Sequence, residues 1–253
     1  MKKLTHVLLL IIITSVLLYG CQNENKEDSD LYITETSNET LDINASIPEF
    51  ITVTEAIKIL KPRPVGVNPW QIKYASKDYI YATYDFGIEF IFRYNIKENI
   101  IDRALDLRSI HKENITTHTT FKFLSNGLHA YLTTGNFGTI FPNVYKADFD
   151  NQRVMLLAET ADDFWSQSFG EEYYPMKDYG ESAREYISRL DENPKLPKLY
   201  DWSTVAQIDK DKFFVIRPNE PPFPGSGYYY FKFFIIDVYQ NEVIQEYRID
   251  SID

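Results

Sequence analysis

The chain has 253 residues, 44% of them hydrophobic and 25% charged, with 26 Lys plus Arg against 37 Asp plus Glu and a net charge of −11. Three Trp, 19 Tyr and 17 Phe can furnish a sizeable core, which argues against wholesale disorder, while the acidic balance argues against a nucleic-acid binder, whose footprint is basic. A single cysteine excludes an intramolecular disulfide and any multi-cysteine zinc or iron–sulfur site.

Residues 1–20 have the build of an export signal. Lys2 and Lys3 form a positive start, and Val7 to Leu18 form an apolar run that stops short of the ~20 residues a spanning helix needs. The run closes on Leu18-Tyr19-Gly20-Cys21. Leu three before the cysteine and a small residue just before it resemble the lipobox of bacterial lipoproteins, with Tyr19 bulkier than usual at its position. That resemblance implies lipidation of Cys21, cleavage before it, and attachment by acyl chains to the extracytoplasmic face of a cell membrane or outer membrane. The membrane is then one partner, and the exported part carries no thiol.

From Cys21 to Ser46 the text is rich in Asn, Glu, Asp, Ser and Thr, and reads as an acidic flexible tether with one apolar knot at Leu31-Tyr32-Ile33. A single β-rich domain is expected over residues 47–253. It opens with FITVTEAIKIL (Phe50–Leu60), a strand passing into a short helix capped by Thr54, and Pro62 and Pro64 stop that helix.

Three later stretches repeat one pattern: Ile72–Leu107, Phe121–Glu159 and Val205–Ile249. Each holds a strand, a polar turn (Ser76–Asp78, Ser125–Gly127, Asp209–Asp211), a second strand, a spacer and a hairpin turning at Asn95–Asn99, Asp148–Asn151 or Asp237–Asn241. Units of this kind, about 40 to 50 residues long, are what a propeller blade requires. Asn95 to Asp148 spans 53 residues and Asp148 to Asp237 spans 89, so a degenerate blade or a helical insertion separates the second and third units. GESAREYISRL (Gly180–Leu190) sets Ala183, Tyr186, Ile187 and Leu190 on one helical face before Asn193-Pro194, which favours the insertion. The expected fold is mainly all-β and antiparallel, an incomplete propeller-like array with a short helical insertion near 180–190. A β-sandwich or open antiparallel sheet is the alternative. Phe86-Gly87, Tyr94-Asn95 and Ile101 through Asp106-Leu107 also resemble repeats of extracytoplasmic propeller-like bacterial proteins, Asn95 standing where Asp is usual; this implies architecture and no activity.

Catalytic patterns are sparse. His111 and His118 flank a polar loop at a spacing that fits no helical metal pair, and His129 falls in a strand. Gly225-Ser226-Gly227 lacks the spacing of a nucleophile elbow, no phosphate-binding glycine motif occurs, and Asp148–Asn151 lacks the glycine of a calcium loop. No cofactor and no metal ligand set is expected. Two segments stand out for recognition. ADDFWSQSFGEEYYPMKDY carries Trp165, Phe169, Tyr173 and Tyr174, which can stack on sugar or peptide, and RPNEPPFPGSGYYY carries Arg217, Phe223 and Tyr228 on a proline-stiffened loop. The expected function is a non-catalytic envelope module that binds a peptide, glycan or protein. Competing readings are a glycan hydrolase using two of Asp162, Asp163, Glu171 and Glu172, and a structural subunit of an envelope complex.

Overall fold

The computed structural model describes residues 47–60, 70–84, 90–110, 118–135, 143–157, 178–199, 203–218 and 231–249. The chain divides into units 1–43 and 44–253, and everything below concerns the second. It is mainly β: three antiparallel sheets, none of them closed, with two α-helices among the described residues.

Strand β1 (Glu49–Ile51) leads into helix α1 (Val53–Ile59). The cap is Thr52, not Thr54: Thr52 and Glu55 exchange hydrogen bonds in a full capping box, satisfying two backbone donors at the helix start. Sheet 1 is the meander β2 (Trp70–Ala75), β3 (Tyr79–Tyr84), β4 (Phe90–Asn95) and β5 (Ile100–Asp106), with β1 added on the outer side of β5. Sheet 2 is β6 (His118–Phe123), β7 (His129–Gly135), β8 (Val144–Asp148) and β9 (Arg153–Leu157). His118 therefore opens a strand, where the sequence had suggested a loop. Helix α2 (Tyr179–Glu192) precedes sheet 3, which is β10 (Thr204–Asp209), β11 (Lys212–Pro218), β12 (Phe231–Asp237) and β13 (Glu242–Ile249).

The three hairpins between third and fourth strands are built alike, because one local chemistry is written three times. Asn95, Asp148 and Asp237 each turn a side-chain oxygen onto backbone N–H groups two or three residues ahead. Four residues later Asn99, Gln152 and Asn241 take φ of 55°, 54° and 60°, the left-handed conformation that lets the chain reverse. The residue after each Asx (Ile96, Phe149, Val238) donates its N–H to the carbonyl of Asp78, Leu128 or Asp211 in the neighbouring turn. Sheets 1 and 3 also share a bulge. Pairing passes from Arg93↔Arg103 to Tyr94↔Ile101, leaving Asp102 extra, and from Ile235↔Gln245 to Ile236↔Val243, leaving Ile244 extra. Sheet 2 pairs without a shift at that place.

Sheet 1 lies in the middle. Its Trp70, Ile80, Phe92 and Tyr94 pack with Phe214, Ile216, Phe233 and Ile235 of sheet 3. Its opposite face, with Tyr81, Ile91 and Leu105, packs with Phe123, Leu132, Tyr145 and Phe149 of sheet 2. Burial on both faces is why FIFRYN is almost continuously apolar instead of alternating. The outer face of sheet 3, with Phe213, Val215 and Phe234, meets α2 through Tyr186. Ile187 is 49% exposed, so the helical face drawn from sequence is narrower than expected.

The stacking has one sense. Tyr81, Tyr131 and Phe214 hold equivalent places on the three second strands, three residues after the acceptor carbonyls of Asp78, Leu128 and Asp211. The face bearing Phe214 packs on sheet 1, and the face bearing Tyr81 packs on sheet 2. The tight turns of all three sheets share one end: Tyr81 Oη donates to Gly127 O at 2.6 Å and Arg103 Nε to Phe149 O at 2.9 Å. At the opposite end Thr204 Oγ1 donates to Trp70 O at 3.2 Å.

Five phenols lie in these interfaces. Burial pushes Tyr81, Tyr94, Tyr145, Tyr186 and Tyr247 above the ordinary tyrosine range, with Arg93 partly opposing the shift at Tyr81. The neutral phenol is thus the form the fold prefers. Stability from these groups is whole below about pH 10, where the unfolded phenols titrate, and is lost as pH rises toward their folded values, at about 1.4 kcal/mol per pH unit for each group. An alkaline titration followed by tyrosinate absorbance and circular dichroism is expected to show ionisation and unfolding as one cooperative step. Tyr94→Phe is expected to make the fall in stability less steep.

Candidate functional site

A four-stranded meander places its first and third turns at one end and everything else at the other. In this protein β2, β6 and β10 begin at the second end, and β5, β9 and β13 finish there. The two aromatic segments marked out by sequence follow β9 and β11 in the chain, and both of those strands finish at this connection end.

Arg217 is the one candidate with a described side chain. It lies near the connection end of β11, its guanidinium 4.7 Å from the centre of the Phe234 ring, and Nη1 donates to Lys198 O at 3.2 Å. Arg217 therefore ties β11 to the chain that follows α2. Trp165, Phe169, Tyr173, Tyr174, Phe223 and Tyr228 lie outside the described residues, as do Cys21 and the carboxylates Asp162, Asp163, Glu171 and Glu172.

His129 starts β7 and sits at the turn end, with Nε2 3.5 Å from Asp148 Oδ2 and Nδ1 3.3 Å from Asn126 Nδ2. Burial works against the charge of Asp148. Hydrogen bonds from Asn151 and from the Asp150 backbone, with the charge of His129, outweigh it and hold the carboxyl below the usual range. The Asp148–Asn151 stretch is a hairpin tip, and among the described residues no cluster of three or more His, Cys, Asp or Glu has the layout of a metal site.

The densest polar group was not marked out by sequence. Arg93, on β4, is 2% exposed between sheets 1 and 2. Its Nε and Nη2 each donate to the bulged Asp102 at 2.9 Å, Nη1 donates to Asp150 of sheet 2 at 3.1 Å, and its guanidinium lies 4.7 Å from the Tyr79 ring centre. Burial opposes the guanidinium charge, and the two carboxylates outweigh it, so the group is raised further above its already high value. The signal available in sequence was a lone cation inside FIFRYN, an otherwise apolar run. Such a group, with both carboxylates engaged, fastens two sheets together.

Among the described residues no helix is long and apolar enough to cross a membrane. No known family model matches the chain, and no curated protein matches it.

Proposed function

We propose that the chain is a lipid-anchored, non-catalytic binding module of a bacterial cell envelope, in which an incomplete propeller-like array offers its connection end to a peptide, glycan or protein partner. The attachment half of this reading rests on Leu18-Tyr19-Gly20-Cys21 after an apolar run, with Cys21 as the lipidated residue. The array half is supported by three antiparallel meanders with the same turns, stacked in one sense. Closed propellers have typically four to eight blades, and here α2 falls between the second and third units.

The observation that carries the binding half is topological: β9 and β11, the strands that the aromatic segments follow in the chain, finish at one end, while the described turns gather at the other. Loops held by a rigid sheet stack are where recognition commonly resides. The test uses affinity capture from native envelopes with the full chain in mild detergent. A specific glycan, peptide or protein is expected to be retained by the wild type, lost on Trp165→Ala or on deletion of Pro221–Pro224, and kept on Tyr239→Ala, since Tyr239 is 85% exposed at the turn end. Loss on Tyr239→Ala with retention on Trp165→Ala would move the site to the other end and overturn the reading.

A further inference from the structure

We propose that the Arg93 cluster is a pairing key, which fixes sheets 1 and 2 of one chain as mutual partners by making theirs the junction where a buried guanidinium meets carboxylates on both sides. Three similar sheets that stack in one sense present three similar pairs of faces. Nothing in apolar packing alone forbids a face from meeting the wrong partner, either within the chain or on a second copy, and such exchange is the characteristic error of repeat architectures.

The shared turns give the equivalent positions. Two residues before the Asx, on the equivalent face of each sheet, stand Arg93, Lys146 and Ile235 in sheets 1, 2 and 3. Two residues after the Asx stand Lys97, Asp150 and Tyr239. Arg93 of sheet 1 against Asp150 of sheet 2 is the match observed. Sheet 1 stacked on the sheet 1 of a second copy would set Arg93 toward Lys97, a like-charge meeting at the seam in place of the ion pair. Sheet 3 in the place of sheet 1 would set Ile235 toward Asp150 and leave Arg93 without its second carboxylate. Sheet 2 offers Lys146, which lacks the planar fork of arginine, and its unshifted pairing supplies no bulged residue where sheet 1 has Asp102. Asp102 holds two guanidinium nitrogens from within the same sheet, so the fork keeps one orientation before sheet 2 arrives. Correct stacking then completes the shell through Asp150.

Replacing a buried ion cluster by apolar residues often leaves stability unchanged or raised, so stability and pairing choice can be separated. The experiment unfolds the full chain in guanidinium chloride, refolds it by dilution into mild detergent, and measures the distribution of species by light scattering after size exclusion. The wild type is expected to return to one species. The triple variant Arg93→Met, Asp102→Leu, Asp150→Ala is expected to melt at or above the wild-type temperature and yet return severalfold more chain as exchanged dimers and larger species. A triple variant that refolds to the wild-type distribution overturns the proposal. Should that variant fail to fold, Asp150→Lys decides the matter, because it alters a turn residue whose side chain is 51% exposed. A severalfold rise in exchanged species, reversed by adding Arg93→Met, supports the key, and an unchanged distribution overturns it.

Discussion

Trp70→Ala is expected to remove about 3–5 kcal/mol of stability, the range for deleting a large, fully buried aromatic side chain. Trp70 is 2% exposed at the start of β2, and its ring is packed among other aromatic rings. Tyr84 and Phe92 lie 5.2 and 5.6 Å away within sheet 1, and Phe233 and Phe231 lie 5.2 and 6.1 Å away in sheet 3. The Tyr84 and Phe233 rings meet it edge to face, which adds about 0.5–1.5 kcal/mol per pair beyond area burial. Typical domains have only about 5–15 kcal/mol in total, so a large share is at stake. Denaturant titration measures the loss. Hydrogen exchange is expected to show it concentrated in β10 to β13, whose contact with sheet 1 depends on this ring. Ile187→Ala, on the exposed side of α2, serves as the contrast and is expected to stay within about 0.5 kcal/mol of wild type.

Gly127→Ala is expected to cost about 2–5 kcal/mol, from two sources that can be separated. Gly127 has φ of +68°, where an L side chain costs about 1–2 kcal/mol. A Cβ there would also stand 2.6 Å from Tyr74 Oη and 3.1 Å from its Cζ. That ring has little room to yield, being 2% exposed and tilted against Tyr81 and Phe123 at 5.6 and 5.1 Å. Forced overpacking adds about 1–3 kcal/mol. Tyr74→Phe in the Gly127→Ala background is expected to recover part of the overpacking cost and none of the backbone cost. A double-mutant cycle on denaturation midpoints reads the split, and additive effects would show that the Tyr74 hydroxyl is not the obstacle.

The turns were readable because their chemistry is local. Asp148-Phe149-Asp150-Asn151 announces a reversal through one side chain and the amides two and three residues ahead, and Asn95 and Asp237 likewise accept from amides within three residues. The helix at 179–192 was readable from its periodicity, since Ala183, Tyr186 and Leu190 recur on one face and pack on sheet 3. Thr52 should have been read correctly, since Thr52 and Glu55 have the spacing of a capping box. What local chemistry does not carry is the order of the layers. Alternation along β3 says that Ile80 and Tyr81 point opposite ways, and says nothing of which meets sheet 3 and which meets sheet 2. Arg93 was missed on the same account, because its carboxylates come from a bulge nine residues on and a turn in another sheet. For the candidate site, sequence supplied aromatic residues, and the fold contributes the common end at which β9 and β11, the strands before their segments, finish.

Sheet 3 completes one face of sheet 1, although the ribosome makes it last. Phe92 and Tyr94 meet Phe233 and Ile235 only after roughly 140 further residues have been added, which at the usual 5–20 residues per second takes roughly 7–30 s. Through that interval the nascent chain carries an uncovered aromatic surface on β3 and β4, which is the natural target of a holding chaperone.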